Sequence, residues 1–200
     1  VMVSGDFSVR DQYTIRGALF GRFKPDVLIM ETTYGGENHP SREEEESSIL
    51  EEIRRVIRNR EVVLIPSFAV GRSQEMALMI LGFQEKGLVP RFPIYLDGLV
   101  QHISNVYETY LGSLFSGKRS IRWPRRETRD CNVRGPACVI ASSGNLKGGY
   151  SVEYAKHVLG RTHAAIFFPG YQDAEAPGKR LLELERGDAL NLHGRSYKVN

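Results

Sequence analysis

The sequence predicts an α/β fold in which a mainly parallel sheet carries helices on both faces. Short apolar runs rich in valine and isoleucine alternate with longer segments of helical periodicity, a pattern typical of strand–helix–strand units. The runs are apolar along their whole length, as strands buried on both faces should be. The length of 200 residues suits one such domain, or one domain with a fragment of another.

The predicted elements follow in order along the chain. The strands are Val27–Met30, Val62–Pro66, Ile94–Leu96, Ala137–Ala141 and Ala164–Phe168. The helices are Ser41–Asn59, Arg72–Lys86, Leu99–Leu114 and Ser151–Leu159. Gly87 and Gly160 stand where the second and fourth helices should stop. The stretch Ala189–Val199 is typical of one or two strands with a turn at His193-Gly194.

The first predicted helix has one apolar face and a recognisable N-terminus. Apolar residues recur at helical spacing from Ile49 to Ile57, which predicts one buried stripe. Ser41 is placed as the N-cap, with Glu44 three residues later. The acidic run Glu43–Glu46 lies in the first turn, where the helix dipole favours negative charge. We therefore interpret this run as a capped, solvated helix start and not as a metal cluster.

Composition excludes several classes of protein. Hydrophobic residues make up 41% and charged residues 26%, as in an ordinary soluble domain. No apolar run approaches the roughly 20 residues of a membrane span, and no signal peptide is visible. Cys131 and Cys138 form no Cys-x-x-Cys pair, which argues against a zinc ribbon or a dithiol redox site. Two unpaired thiols predict a reducing cytoplasmic location.

Charge is unevenly distributed, although the net charge is only +3. Residues 118–134 contain seven basic and two acidic side chains, a net charge of +5, around the only tryptophan, Trp123. A basic patch with an aromatic residue is one mark of nucleic-acid binding, and Arg125 and Arg126 would then guide RNA. A solvated basic loop would have the same composition, so both interpretations stay open.

Two loops lie where open α/β sheets bind ligands, beyond the carboxyl ends of strands. The first, residues 66–75, follows a predicted strand and opens a helix whose first N–H groups can meet an anion. In it, Gly71 permits close backbone approach and Arg72 supplies a guanidinium matched to phosphate. The second, residues 142–149, supplies hydroxyls, N–H groups and conformational freedom. Together the loops could hold a phosphodiester, although such glycine-rich turns also serve purely structural roles.

Two carboxylates also follow apolar segments. Asp6 comes just after a short apolar start, and Glu31 directly follows the strand Val27–Met30. This position suits metal binding or acid–base chemistry, and it equally suits a carboxylate that caps a turn. The five histidines show no His-x-His or His-x-x-x-His pairing, and a catalytic zinc needs three protein ligands. We therefore predict no complete metal site within this sequence.

Five motifs occur together in one order. They are Ser4-Gly5-Asp6-Phe7-Ser8, Glu31-Thr32-Thr33-Tyr34-Gly35, the segment PSFAVGRSQE at 66–75, Ile140-Ala141-Ser142-Ser143-Gly144 and Gly170-Tyr171-Gln172. In this order they resemble the β-CASP branch of the metallo-β-lactamase superfamily. That branch includes the endonuclease subunit of the pre-mRNA cleavage and polyadenylation complex, its archaeal relatives and RNase J. The resemblance covers essentially the whole chain.

The resemblance implies roles for particular residues. It implies a remnant of the metallo-β-lactamase domain at residues 1–31 and a β-CASP domain at residues 32–200. The parent protein would be a ribonuclease with two zinc ions, in which Asp6 is a metal ligand and Glu31 is a catalytic residue that partners a histidine. The residues implied to bind RNA or its phosphates are Phe68, Arg72, Gln74, Ser142, Ser143, Gly144 and Gly148.

The resemblance also sets expectations for the chain as it stands. Members of this branch carry a His-x-His-x-Asp-His motif ahead of the Ser-Gly-Asp-Phe-Ser segment and further histidines later in the sequence. The chain therefore resembles an excised β-CASP domain, which we expect to be inactive alone and to bind no zinc. We expect single-stranded RNA as its partner, no membrane partner and a cytoplasmic location, and the parent could form a homodimer.

Other functions stay open at this point. A non-catalytic RNA-binding scaffold subunit and a DNA-repair nuclease of the same superfamily are the main alternatives. A nucleotide-binding α/β domain for a small molecule is disfavoured, because the sequence lacks Gly-x-x-x-x-Gly-Lys-Ser/Thr and a clear Gly-x-Gly-x-x-Gly.

Overall fold

The computed structural model describes residues 1–36, 38–112, 120–123 and 131–200, and the chain divides into two compact units, Val1–Ser48 and Ile49–Asn200. In the first unit, β1 (Met2–Val3) pairs in parallel with β2 (Leu28–Ile29). The expectation that the strand Val27–Met30 is buried on both faces is wrong, because Leu28 and Ile29 are 52% and 56% exposed. Within the described part of this unit β2 pairs with β1 alone, so a two-stranded ladder leaves its apolar side chains accessible.

The helix α1 (Arg42–Arg58) begins directly after Ser41, as predicted. The Ser41 hydroxyl accepts a hydrogen bond from the Glu44 N–H at 3.5 Å and donates one to the Glu43 carboxylate at 2.9 Å. The backbone N–H of Glu43, and then the Ser41 hydroxyl, lower the pKa of the Glu43 carboxyl. The acidic run is thus a helix start, and the predicted stripe is buried further along at Ile53, Val56 and Ile57.

The described residues of the second unit contain a five-stranded, fully parallel sheet. Its strands are β3 (Val62–Pro66), β4 (Ile94–Asp97), β5 (Ile121–Arg122), β6 (Ala137–Ala141) and β7 (Ala165–Ile166), in the spatial order β5-β4-β6-β3-β7. The further helices are α2 (Arg72–Glu85), α3 (Leu99–Leu111), α4 (Gly149–Val158) and α5 (Pro177–Leu181). The predicted α/β class with a mainly parallel sheet is confirmed.

Two apolar layers cover the two faces of this sheet. Along β3, Val63 and Ile65 pack towards α1, α2 and α3, whereas Val62 and Leu64 pack towards α4. Every residue of β3 and of β6 is buried, because each of these strands has a partner on both edges and helices on both faces. Burial of each such Val, Leu or Ile side chain stabilises the fold by about 1.5–3 kcal/mol.

Some element bounds differ from the prediction. The structure adds the short strand β5, which the sequence analysis missed inside the basic stretch, and β7 is shorter than Ala164–Phe168. The helix α4 begins two residues before the predicted Ser151. Leu114, the predicted end of α3, lies outside the described residues.

The chain ends in an antiparallel hairpin of β8 (Ala189–Leu192) and β9 (Arg195–Lys198). Its two turn residues, His193 and Gly194, have φ of 51° and 79°, the left-handed geometry that a tight hairpin needs, so the predicted turn is confirmed.

Across the described ranges, every helix is too short or too polar to cross a membrane.

Candidate functional site

Three loops meet at the carboxyl edge of the sheet. The strand order places β3 between β6 and β7, so the segments that follow these strands are neighbours. The ladder continues beyond the strands, because the Ser67 N–H donates to the Ala141 carbonyl at 2.9 Å. The predicted juxtaposition of the loops at 66–75 and 142–149 is therefore confirmed, and the loop around Gly170 is the third member.

The loop after β3 ends at the start of α2. Gly71 has φ of 77°, a left-handed conformation that glycine adopts without strain. Arg72, the first residue of α2, is exposed, and the described part of the chain offers its guanidinium no ion pair. A free guanidinium therefore lies at the positive end of a helix dipole, an arrangement that favours an anion.

Gln74 does not face solvent, contrary to what its implied contact with RNA requires. Its side chain is fully buried, and Nε2 donates to the Ala69 carbonyl at 3.1 Å and to the Ser104 hydroxyl at 2.9 Å. Because Ser104 lies on α3, these bonds tie the loop after β3 to a neighbouring helix. In this structure Gln74 supports the loop from inside the protein and cannot touch a ligand directly.

The loop after β6 is closed by its own hydrogen bonds. The N–H and the hydroxyl of Ser143 both donate to the Gly148 carbonyl at 3.1 Å. The buried Ser151 donates from its N–H to the Ser142 carbonyl at 2.9 Å and from its hydroxyl to the Ser143 carbonyl at 2.7 Å. The two serines therefore differ. The Ser143 hydroxyl is used within the loop, whereas the Ser142 hydroxyl has no hydrogen-bond partner among the described residues.

Two glycines of this loop lie close to neighbouring backbone. Gly149 has φ of 70°, and a Cβ there would lie 2.5 Å from the Ser142 carbonyl oxygen. A Cβ on Gly144 would lie 3.1 Å from the backbone nitrogen of Phe68. The loops after β6 and β3 therefore touch backbone to backbone. Over the described ranges the Gly144 N–H makes no hydrogen bond, although Gly144 is buried against Phe68.

The third loop completes the contact. Phe68 is 46% exposed, and its ring also packs near Gly170, where a Cβ would lie 3.8 Å from the ring. The Gln172 Nε2 donates to the carbonyls of Gly144, Gly170 and Tyr171 at 3.1, 3.3 and 3.1 Å. The segment Gly170-Tyr171-Gln172, which the sequence analysis quoted without a role, thus joins the loops after β6 and β7.

The sequence analysis missed Asp97, the last residue of β4. This carboxylate is fully buried and accepts hydrogen bonds from the Tyr154 hydroxyl at 2.7 Å and from the Gly98 N–H at 2.6 Å. Asp97 lies opposite Ala141 in the ladder, one residue before Ser142. Asp97 directly follows the predicted strand Ile94–Leu96, and this position could have identified it as a candidate, because the same kind of position identified Glu31.

Charge at the rim of the site is partly neutralised. The Lys147 ammonium lies 2.5 Å from the Asp173 carboxylate, and this hydrogen bond is the main reason that the pKa of Asp173 is lowered.

In the basic stretch, Trp123 is 37% exposed. Arg125 and Arg126, which were expected to guide RNA, lie outside the described residues.

The two acidic candidates belong to the first unit. The Ser4 N–H donates to the Ile29 carbonyl at 3.0 Å, and the Ser4 hydroxyl accepts from the Glu31 N–H at 3.1 Å. These bonds bring the loop that holds the exposed Asp6 to the same end of the two-stranded sheet as Glu31. The Glu31 carboxylate accepts a hydrogen bond from the Thr33 N–H at 2.9 Å, so it also caps a turn.

The donor set does not complete a metal centre. Among residues 1–36, 38–112, 120–123 and 131–200, no group of three or more His, Cys, Asp or Glu side chains could hold a metal ion. A catalytic zinc needs three protein ligands, so Asp6 and Glu31 do not fit a zinc site by themselves.

Comparisons with known proteins give the relatives of the chain. The family model of the Beta-Casp domain matches residues 73–181, which include the loops after β6 and β7. The chain is 31% identical to RNase aCSPSF2 of Saccharolobus solfataricus over 82% of the chain and 34% of that protein. It is 31% identical to the transcription termination factor FttA of Thermococcus kodakarensis over 100% of the chain and 34% of that protein. It is 29% identical to the probable RNase MJ4 of Methanocaldococcus jannaschii over 92% of the chain and 45% of that protein.

Proposed function

Because the chain belongs to the β-CASP family of the metallo-β-lactamase superfamily, we propose that it is the RNA-gripping part of a ribonuclease that processes or degrades RNA. The chain spans about one third of the length of the first two of these relatives. The observation that carries the proposal is the carboxyl edge of the sheet, where a free guanidinium and a free backbone N–H lie on loops that touch each other.

The residues of this edge suit a phosphodiester backbone. Arg72 offers a charged, forked donor at the start of α2. The Gly144 N–H and the Ser142 hydroxyl add neutral donors on the neighbouring loop. These groups bind phosphate oxygens whatever the base, so they would hold and orient RNA without reading its sequence. The Gly148 carbonyl accepts the hydrogen bond from the Ser143 hydroxyl and so keeps the loop after β6, residues 142–149 or the serine loop, closed.

Hydrolysis belongs to the longer protein. The family implies metal ions, and we propose two zinc ions, with Asp6 as one ligand and Glu31 as a residue that orients a histidine ligand. When bound in the longer protein, such a pair of metal ions would activate water and stabilise the attacking and leaving oxygens of a phosphodiester. This chain alone should not cleave RNA, and cleavage of labelled RNA by the purified chain with added Zn²⁺ would contradict that. We further propose that the longer protein acts in the cytoplasm and forms a homodimer.

Binding of single-stranded RNA by the purified chain tests this phosphate-binding site, or phosphate grip, directly. Arg72→Gln should weaken the binding of an oligouridine RNA and lower the slope of log Kd against log salt by about 0.7, because one phosphate contact is lost. Arg58→Gln is the matched control. Arg58 is also exposed, but it precedes the start of β3 and therefore lies at the opposite edge of the sheet. Equal effects of the two substitutions would refute the proposed site.

The relatives named transcription termination factor supply a second candidate. The same grip could act on nascent RNA, with termination as its outcome. An in vitro transcription assay with the full-length protein separates the candidates. Release of transcripts would support termination, whereas cleavage of free RNA without any effect on transcription would support RNA processing or decay.

A further inference from the structure

We propose that Phe68 and Tyr171 form a stacking site for the bases of single-stranded RNA, and that Gln172 holds this site together. The inference rests on the proposed RNA-binding function and extends it, since the groups described above bind only phosphates. The stacking site would give a role to the motif Gly170-Tyr171-Gln172, none of whose residues is among the proposed phosphate-binding groups.

Backbone from two loops lies beside one edge of the Phe68 ring. Ideal Cβ atoms on Gly144 and Gly170 would both approach the same ring edge, Cδ2 and Cε2, at 3.2 and 3.8 Å. Because both positions are glycines, the loops after β6 and β7 can support this edge from close range. Phe68 is nevertheless 46% exposed. A ring fixed along one edge and open elsewhere is a platform on which a planar group can lie.

Gln172 keeps the supporting backbone in place. Its amide nitrogen donates to the carbonyls of Gly144, Gly170 and Tyr171, so one side chain joins the two glycines that support Phe68. A second hydrogen bond holds the loop after β6 to α5, because the Gly178 N–H donates to the Asn145 carbonyl at 3.1 Å. The platform is therefore built before any ligand arrives, which lowers the entropy lost on binding.

Tyr171 supplies a second aromatic side chain on the same loop. It is 74% exposed, and in the described residues its hydroxyl makes no hydrogen bond. It follows Gly170, where a Cβ would lie 3.8 Å from the Phe68 ring, so both aromatic side chains belong to the phosphate-binding edge of the sheet. Every base has a π-face, so stacking on such side chains is sequence-tolerant. Single-stranded RNA with unpaired bases is the ligand that this chemistry selects.

The test compares two ligands of equal charge. The purified chain is titrated with an oligouridine RNA and with an abasic ribose-phosphate oligomer of the same length, and both dissociation constants are measured by fluorescence anisotropy. Wild type should prefer the RNA with bases. Tyr171→Ala should weaken oligouridine binding by about 5- to 140-fold, the range expected when one base–aromatic stack is lost, and leave abasic binding unchanged. Tyr171→Trp should retain the preference, and Tyr171→Leu should lose it.

Tyr110→Ala is the matched control, because Tyr110 is 81% exposed on α3. It should leave both dissociation constants unchanged. Equal binding of the two oligomers by wild type, or an effect of Tyr171→Ala on both oligomers alike, would overturn the stacking site while leaving the phosphate grip intact. Failure of wild type to bind either oligomer would instead refute the proposed function from which the inference starts.

Discussion

Replacing Tyr154 with phenylalanine removes one hydroxyl from the interior of the second unit. That hydroxyl donates to the Asp97 carboxylate at 2.7 Å, and the two side chains are 2% and 0% exposed. Hydrogen bonds to charged groups contribute about 1.5–3 kcal/mol, and burial at this site removes most of the solvent screening. The free energy of unfolding should therefore fall by about 1.5–3 kcal/mol, and the melting temperature should fall by about 3–12 °C.

Urea denaturation followed by circular dichroism measures this change. Tyr110→Phe removes a hydroxyl from an exposed side chain and should change the free energy of unfolding by less than about 0.5 kcal/mol. If Tyr154→Phe also stays within about 0.5 kcal/mol of wild type, the bond between α4 and the end of β4 does not hold the two elements together.

Two further predictions concern the serine loop and the thiols. Gly149→Ala should destabilise the protein by about 1–3 kcal/mol, because φ is 70° and the new Cβ would meet the Ser142 carbonyl oxygen. Gly148→Ala, where φ is extended and no atom lies within 4 Å of the new Cβ, should have little effect in the same thermal denaturation, and equal losses would contradict the strain argument. Burial strongly raises the pKa of the Cys138 thiol, whereas Cys131 is only partly buried. Iodoacetamide at neutral pH should therefore label Cys131 alone in the folded chain, and mass spectrometry that finds rapid labelling of Cys138 would refute this.

Prediction from the sequence was most accurate for segments in which the structure tolerates few residue types. Apolar runs without alternation identified β3 and β6 to the residue, because strands buried on both faces tolerate little else. The same argument failed for Val27–Met30, since burial depends on what covers a strand and not on the strand itself. The glycines and serines after β3 and β6 indicated two loops that lie against each other in the structure, since glycine permits close backbone approach.

Contacts between distant residues could not be predicted in this way. Tyr154 and Asp97 are 57 positions apart, and nothing in either local segment indicates the partner. Gln74 looked like a ligand contact because it lies in the right motif, but its orientation on α2 turns it inwards to Ala69 and Ser104. Gln172 was quoted without a role, since its three acceptors come from two loops that only the strand order brings together.

The parallel arrangement of the main sheet separates two kinds of surface. Every phosphate- and base-binding group proposed here lies at the carboxyl edge, while the turns that follow α1, α2 and α4 return to the amino edge. Gly160, in the last of these turns, is exposed, and a Cβ there would meet no atom within 4 Å. A fluorophore or surface tether attached at that position would leave the RNA-facing edge accessible. The topology thus provides a means of immobilising the domain in a known orientation for single-molecule measurements.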